Sequence, residues 1–179
     1  PAAAGAPVFT SPASVTATVG VPFSFTVAAS GVPTPMLSES GALPAGLGFV
    51  DNGNGTATIS GTPSEATSTS VVLSATNAVA IATQQLSIVV TSAPVFTSPA
   101  SVTATVGVFF SFTVAASGVP TPALSESGSL PKGLGFVDNG DGTATISGTP
   151  TRVKNKTVVL SASNSAGRAT QHLTISVQP

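Results

Sequence analysis

His172 is the only histidine in this chain of 179 residues, and cysteine is absent. A serine nucleophile needs a base such as imidazole within hydrogen-bond reach, so hydrolase chemistry of that kind has one candidate base. Leu173 beside it points to a strand with His172 on the outer, solvated side. Disulfides and thiolate metal sites are excluded. Carboxylates remain. Glu39 and Glu126 stand 87 residues apart, as do Asp51 and Asp138. Paired carboxylates can hydrolyse a glycosidic bond. Here each Glu falls in a strand pattern and each Asp in a turn, so a solvated Glu and a turn-forming Asp are expected. Asp138-Asn139-Gly140-Asp141-Gly142 has some calcium-loop character, with Asp138 and Asp141 as candidate ligands. It lacks the closing bidentate Glu, and Asn54 takes the place of Asp141 one repeat earlier. A hairpin turn without metal is therefore expected. No catalytic residue and no cofactor is assigned.

Binding chemistry is limited too. Trp and Tyr are absent, which removes the amphipathic rings that stack on sugars. Phe109, where Pro22 stands one repeat earlier, is the aromatic expected to be exposed. The net charge is −1 and basic residues are not interleaved with aromatics, so no nucleic-acid partner is expected. No apolar run approaches the ~18 residues of a membrane helix, so no membrane insertion is expected. Asn54-Gly55-Thr56 and Asn155-Lys156-Thr157 have the spacing of glycosylation acceptors.

The recurring offset belongs to a repeat. Ala6-Pro7-Val8-Phe9-Thr10-Ser11-Pro12 returns as Ala93-Pro94-Val95-Phe96-Thr97-Ser98-Pro99, and the register holds without a gap to the end. Roughly three-quarters of aligned positions match, the mark of a duplicated domain rather than a solenoid unit. The expected organisation is a linker over 1–6, including Pro1-Ala2-Ala3-Ala4-Gly5, then domains over 7–92 and 93–179. Charged residues make up 6% of the chain, with 18 Gly and 15 Pro. Such punctuation disfavours helix, and the Val- and Thr-rich runs between favour strands. Their regularity, with little net charge, argues against disorder.

Strand signals follow in order within one copy. Val8 to Thr10 and Ser14 to Val19 form a first strand split by Pro12. Phe23 to Ala29 alternates, placing Phe23, Phe25 and Val27 on one face. Met36 to Glu39 is short. Phe49-Val50, the Asp51–Gly55 turn and Thr56 to Ser60 make a hairpin. Val71 to Ala75 and Leu86 to Val90 complete the set. The fold class is all-β: two tandem Ig-like or cadherin-like sandwiches of about seven strands each. Phe23, Phe25, Leu47, Ile59, Leu73, Leu86 and Ile88, with their counterparts, are the expected core. A linker of about four residues is expected between Val90 and Val95, giving two domains end to end.

Gly31-x-Pro33, Leu43-Pro44-x-Gly46-Leu47, Ser60-Gly61-Thr62-Pro63 and Ala75-Thr76-Asn77 resemble the signature of the bacterial Putative Ig domain family, related to dystroglycan-type cadherin-like domains. The same blocks stand at Gly118-x-Pro120, Leu130-Pro131-x-Gly133-Leu134, Ser147-Gly148-Thr149-Pro150 and Ala162-Ser163-Asn164. The family pattern has Gly shortly after the Asn block; Gly167 fits and Ala80 departs from it. Ala93-Pro94-Val95-Phe96 resembles the start of a cadherin repeat, but Val90-Thr91-Ser92 before it supplies no acid for calcium. The resemblance implies no catalytic residues. It implies a structural spacer, stalk or filament-forming module of an extracellular bacterial surface protein, with neighbouring modules as partners. An adhesive module contacting a protein or glycan receptor, and an accessory domain of a secreted hydrolase, are the alternatives.

Two surface features complete the reading. Val72, Ile81 and Val89 should point outward in copy one and could form an apolar face for self-association into fibres. The bases Lys132, Arg152, Lys154, Lys156 and Arg168 all lie in copy two, leaving copy one at −3 and copy two at +2. Opposite charges could help to position neighbouring modules.

Overall fold

A computed structural model describes residues 3–179, and every regular element in it is a β-strand. Residues 1–2 of the expected linker lie outside the described residues; Gly5 and Ala6 already belong to the first strand. The chain divides into two units, the first ending at Thr91 and the second beginning at Ser92.

Unit 1 contains β1 (Gly5–Phe9), β2 (Ser14–Thr18), β3 (Phe23–Val32), β4 (Met36–Ser40), β5 (Leu47–Asp51), β6 (Thr56–Gly61), β7 (Thr67–Thr76) and most of β8 (Ile81–Phe96). One sheet has the order β1-β3-β6-β5, and the other joins β4, β7, β8 and β2. Unit 2 begins with the last residues of β8 and adds β9 (Ser101–Thr105), β10 (Phe110–Val119), β11 (Ala123–Ser127), β12 (Leu134–Asp138), β13 (Thr143–Gly148), β14 (Asn155–Asn164) and β15 (Gly167–Gln178). Its pairings repeat those of unit 1. Counting the split first strand as one, each unit has seven strands, and Pro12 lies at the break.

The four-residue linker expected between Val90 and Val95 is not observed. Thr91 pairs with Thr18, and the next residue, Ser92, pairs with Val119. Pro94 does not break the strand, because a proline is tolerated where its missing N–H has no ladder partner.

Alternation sets the core. Val27, Ile59, Leu73, Leu86 and Ile88 are at most 1% exposed, as are Val114, Ile146, Leu160, Leu173 and Ile175. Phe23, Phe25 and Leu47 take the expected face but are only half-buried, as are Phe110, Phe112 and Leu134. Phe23 and Leu47 both lie opposite Gly61 in the ladder. With no side chain between them, that row sits at an open rim rather than in the centre.

The glycines that recur in the two copies have a mechanical reason. Gly46 has φ +93 and Gly61 has φ +142. A Cβ on Gly46 would meet the Thr62 carbonyl oxygen at 2.1 Å, and one on Gly61 would meet the Gly46 carbonyl oxygen at 2.0 Å. The Leu43–Leu47 loop and the strand end at Ser60–Pro63 therefore touch backbone to backbone, closed by Thr62 N–H to Gly46 O at 3.1 Å. Gly133 and Gly148 repeat the contact against Thr149 and Gly133.

Burial ranks the core substitutions. Ile59→Ala should cost about 3 kcal/mol, and Phe25→Ala about 2 kcal/mol or less, because the ring keeps part of its solvent contact when folded. Urea unfolding checks this; a larger loss for Phe25→Ala would show the rim to be as dense as the centre.

Candidate functional site

The concave surface of each unit lies where β4 and β5, edge strands of opposite sheets, leave the sandwich open. In unit 1 this groove holds about 640 Å³ and is lined by Leu37, Glu39, Leu43, Leu47, Phe49 and Asp51. In unit 2 it holds about 620 Å³, with Glu126, Leu130, Lys132, Phe136 and Asp138 among its lining. The recurring carboxylates thus share one groove in each copy. The Asp is committed to the backbone: Asp51 Oδ2 accepts from Leu37 N–H at 3.2 Å and Oδ1 from Gly53 N–H at 3.1 Å. Asp138 does the same with Leu124 at 3.0 Å and Gly140 at 3.1 Å. The first bond ties one sheet edge to the other, and the second forms the turn, as expected of this Asp. Glu39 and Glu126 are half-buried, and Oε2 of each is buried without a hydrogen-bond partner.

Asp141 occupies the turn that Asn54 occupies in unit 1. Asp141 Oδ1 accepts from the Thr143 hydroxyl at 2.6 Å and from its N–H at 3.0 Å; Asn54 Oδ1 accepts from Thr56 at 2.6 and 3.1 Å. The Thr143 hydroxyl, then its N–H, hold the Asp141 carboxyl below its ordinary 3.8. Both calcium candidates accept hydrogen bonds from turn N–H groups, Asp138 from Gly140 and Asp141 from Thr143, and among the described residues no cluster of three or more His, Cys, Asp or Glu placed to hold a metal is found. His172 is exposed on β15, opposite Val159.

On the outer face of the β4–β7–β8 sheet the expected orientation holds, but the three residues are spread along it. Val72, Ile81 and Val89 point outward, at 37%, 67% and 36% exposure. Their ladder positions separate them: Ile81 lies opposite Thr76, Val72 opposite Gln85, and Val89 opposite Ser68. Four residues along a strand span about 13 Å, and Ser74, Thr83, Ser70 and Ser87 fill the rows between. The three do not form one apolar patch. In unit 2, Arg168 covers the same face and donates to the buried hydroxyl of Ser161 at 2.6 Å. Phe109 is 70% exposed, as its position suggested.

Two features lay beyond sequence reasoning. Asn77 Nδ2 donates to Gly5 O at 2.8 Å and Pro33 O at 2.9 Å, while its Oδ1 accepts from the N–H groups of Val79 and Ala80. Asn164 repeats this with Ser92, Pro120, Ala166 and Gly167. The second is a cleft of about 220 Å³ in unit 2, lined by Leu130, Pro131, Lys132, Arg152, Lys154 and Lys156. The signal for it was in the sequence, as a charge asymmetry, but the convergence was not.

These motifs, now placed on a seven-stranded sandwich, match the family described as Putative Ig domain over residues 6–92 and again over 93–178. The chain belongs to that family. No curated protein matches it. Among solved structures it is similar to an E-to-A variant of titin domains I67–I69, at TM-score 0.70 and 15% identity, covering 98% of this chain and 66% of that one. The unmodified I67–I69 fragment gives TM-score 0.68 at 15% identity, covering 99% and 66%. A titin A168–A169 structure gives 0.62 at 15% identity, covering 99% and 100%. The chain thus spans about two thirds of the three-domain fragments. At this identity the likeness concerns the Ig fold, which is typically non-catalytic.

Because Asn54 makes the bonds of Asp141, Asp141→Asn should leave the melting temperature within ~1 °C at pH 7. The depressed Asp141 pKa implies a stability contribution present above 3.8 and lost as pH falls below it; the Asn variant should not show that loss. Asp138→Ala removes the tie between sheet edges and should cost about 2 kcal/mol. Chemical unfolding at pH 7 and pH 3 measures both, and added calcium should shift neither.

Proposed function

We propose that the chain is a tension-carrying spacer segment of an extracellular bacterial surface protein, made of Ig-like modules in series. One observation carries this reading: in each unit the split first strand runs parallel to the last. β2 pairs with β8 from Ser14↔Ser87 to Thr18↔Thr91, and β9 pairs with β15 from Thr174↔Ser101 to Gln178↔Thr105. Antiparallel termini would leave a domain at the same end; parallel ones leave at opposite ends. Gly5 is held by Asn77 beside the start of β8, and Thr91 lies ten residues further along that strand. Ten residues of strand advance the chain by about 33 Å. Each unit, taken by itself, therefore receives the chain at one end and releases it at the other, and tension along the chain would load five ladder pairs together in shear.

Low charge and the absence of cysteine and tryptophan leave stability to the packed core and the ladders.

Single-molecule stretching tests the proposal. Two separate unfolding events are expected, each lengthening the chain by roughly 270 Å, the contour of about 87 residues less the folded length. Extension at negligible force, or peeling in many small steps, would contradict a spacer role.

A further inference from the structure

We propose that the cationic cleft of unit 2 is a binding site for an acidic polysaccharide, seating a carboxylate or sulfate group among Lys132, Arg152, Lys154 and Lys156. This goes beyond the spacer reading and does not depend on it.

The site stands on the family scaffold. Lys132 is the variable residue of Leu130-Pro131-x-Gly133-Leu134, and Arg152 and Lys154 follow Ser147-Gly148-Thr149-Pro150. The close approach of Gly133 to Thr149, with Thr151 N–H donating to the Lys132 carbonyl at 3.0 Å, fixes the two loops side by side. Lys156 is half-buried on β14, two residues before the buried Val158 and on the same face of the strand, and it lines the cleft. Leu130 and Pro131 form the apolar part of the wall.

Comparison with unit 1 shows that this is a local departure. Up to Pro63, five positions of the repeat differ between copies; the next seven, Ser64 to Ser70 against Thr151 to Thr157, all differ. On the same scaffold unit 1 has Ala45, Glu65, Thr67 and Thr69. The exchange replaces one acid by four bases around one opening. Among the described residues, Arg168 is the one base whose side chain donates a hydrogen bond, and it lies outside the cleft. No acid lines the cleft, and Glu126 and Asp138 line the adjoining groove that shares Lys132 with it; four like charges around one opening repel each other, and an anion reduces that penalty.

The occupant follows from the lining. Single-stranded nucleic acid needs aromatic rings for base stacking, and the cleft has none. A second copy of this chain is a poor partner. Of the six acids a second copy would offer, Asp51, Asp138 and Asp141 accept hydrogen bonds from their own unit and Glu39 and Glu126 are half-buried, which leaves Glu65 as the one exposed carboxylate outside such bonds. A sugar ring carrying an anionic group fits better, with its C–H face on the half-buried Leu130 and its anion among the bases.

The test uses the full chain with four probes: heparin, polygalacturonate, a DNA duplex and inorganic sulfate, by calorimetry at low and at physiological salt. Binding to at least one of the two polysaccharides is expected, weakening steeply with salt. Replacing Lys132, Arg152, Lys154 and Lys156 by Ala, Glu, Thr and Thr, the residues unit 1 carries, should weaken it by about ten-fold or more. The paired variant Lys132→Ala with Lys154→Thr should weaken it less, and Arg168→Ala should leave it unchanged. No polysaccharide binding, binding undiminished in the folded paired and fourfold variants, or tighter binding of DNA or free sulfate would each overturn the proposal.

Discussion

A single side-chain amide closes each domain. Asn77 uses both N–H groups and both oxygen lone pairs, joining the start of β1, the loop after β3 and the turn between β7 and β8. An amide has these four positions and no more, so any shift in one loop leaves a polar group unpaired. Gly31 belongs to the same joint: a Cβ there would stand 3.0 Å from Asn77 Nδ2. Asn164 makes the same joint in unit 2, and one of its acceptors is the carbonyl of Ser92, the residue at which that unit begins. The amide therefore fixes where the chain enters each sandwich.

At the other end, closure is made by backbone alone. The Gly46–Thr62 and Gly61–Gly46 approaches leave no room for a side chain. Such joints are indifferent to the side chains around them. That is why the residue between Pro44 and Gly46 can be Ala in one copy and Lys in the other without disturbing the sandwich. A fold held by a saturated amide and by glycine contacts leaves its loop surface free to vary, and the two copies have varied it most at the cationic cleft.

Much of this was legible in the sequence because strands declare themselves by period two. Val27, Ile59, Leu73, Leu86 and Ile88 are buried as alternation requires. The Asp51–Gly55 turn and its hairpin follow from local chemistry. What alternation could not give was depth and neighbourhood. Phe23 and Phe25 face inward but remain half-exposed, since a period assigns a side and not a distance from the rim. Val72, Ile81 and Val89 share a side yet lie in separate rows, which only the β7–β8 register reveals. Pro94 suggested a linker, but the ladder continues past it. Lys132 meets Arg152 across twenty residues only because Gly133 rests on Thr149.

The amide joint is tested most directly by Asn77→Asp, which keeps the size and the acceptors but removes both donors. Followed through the amides of unit 1 in urea, its unfolding should be easier by about 3 kcal/mol, because two carbonyls lose their donors and face a carboxylate instead. Unit 2, with Asn164 intact, should unfold as before. A loss below about 0.5 kcal/mol would fall within the range of an ordinary surface change and would contradict the claim that this residue holds the domain closed.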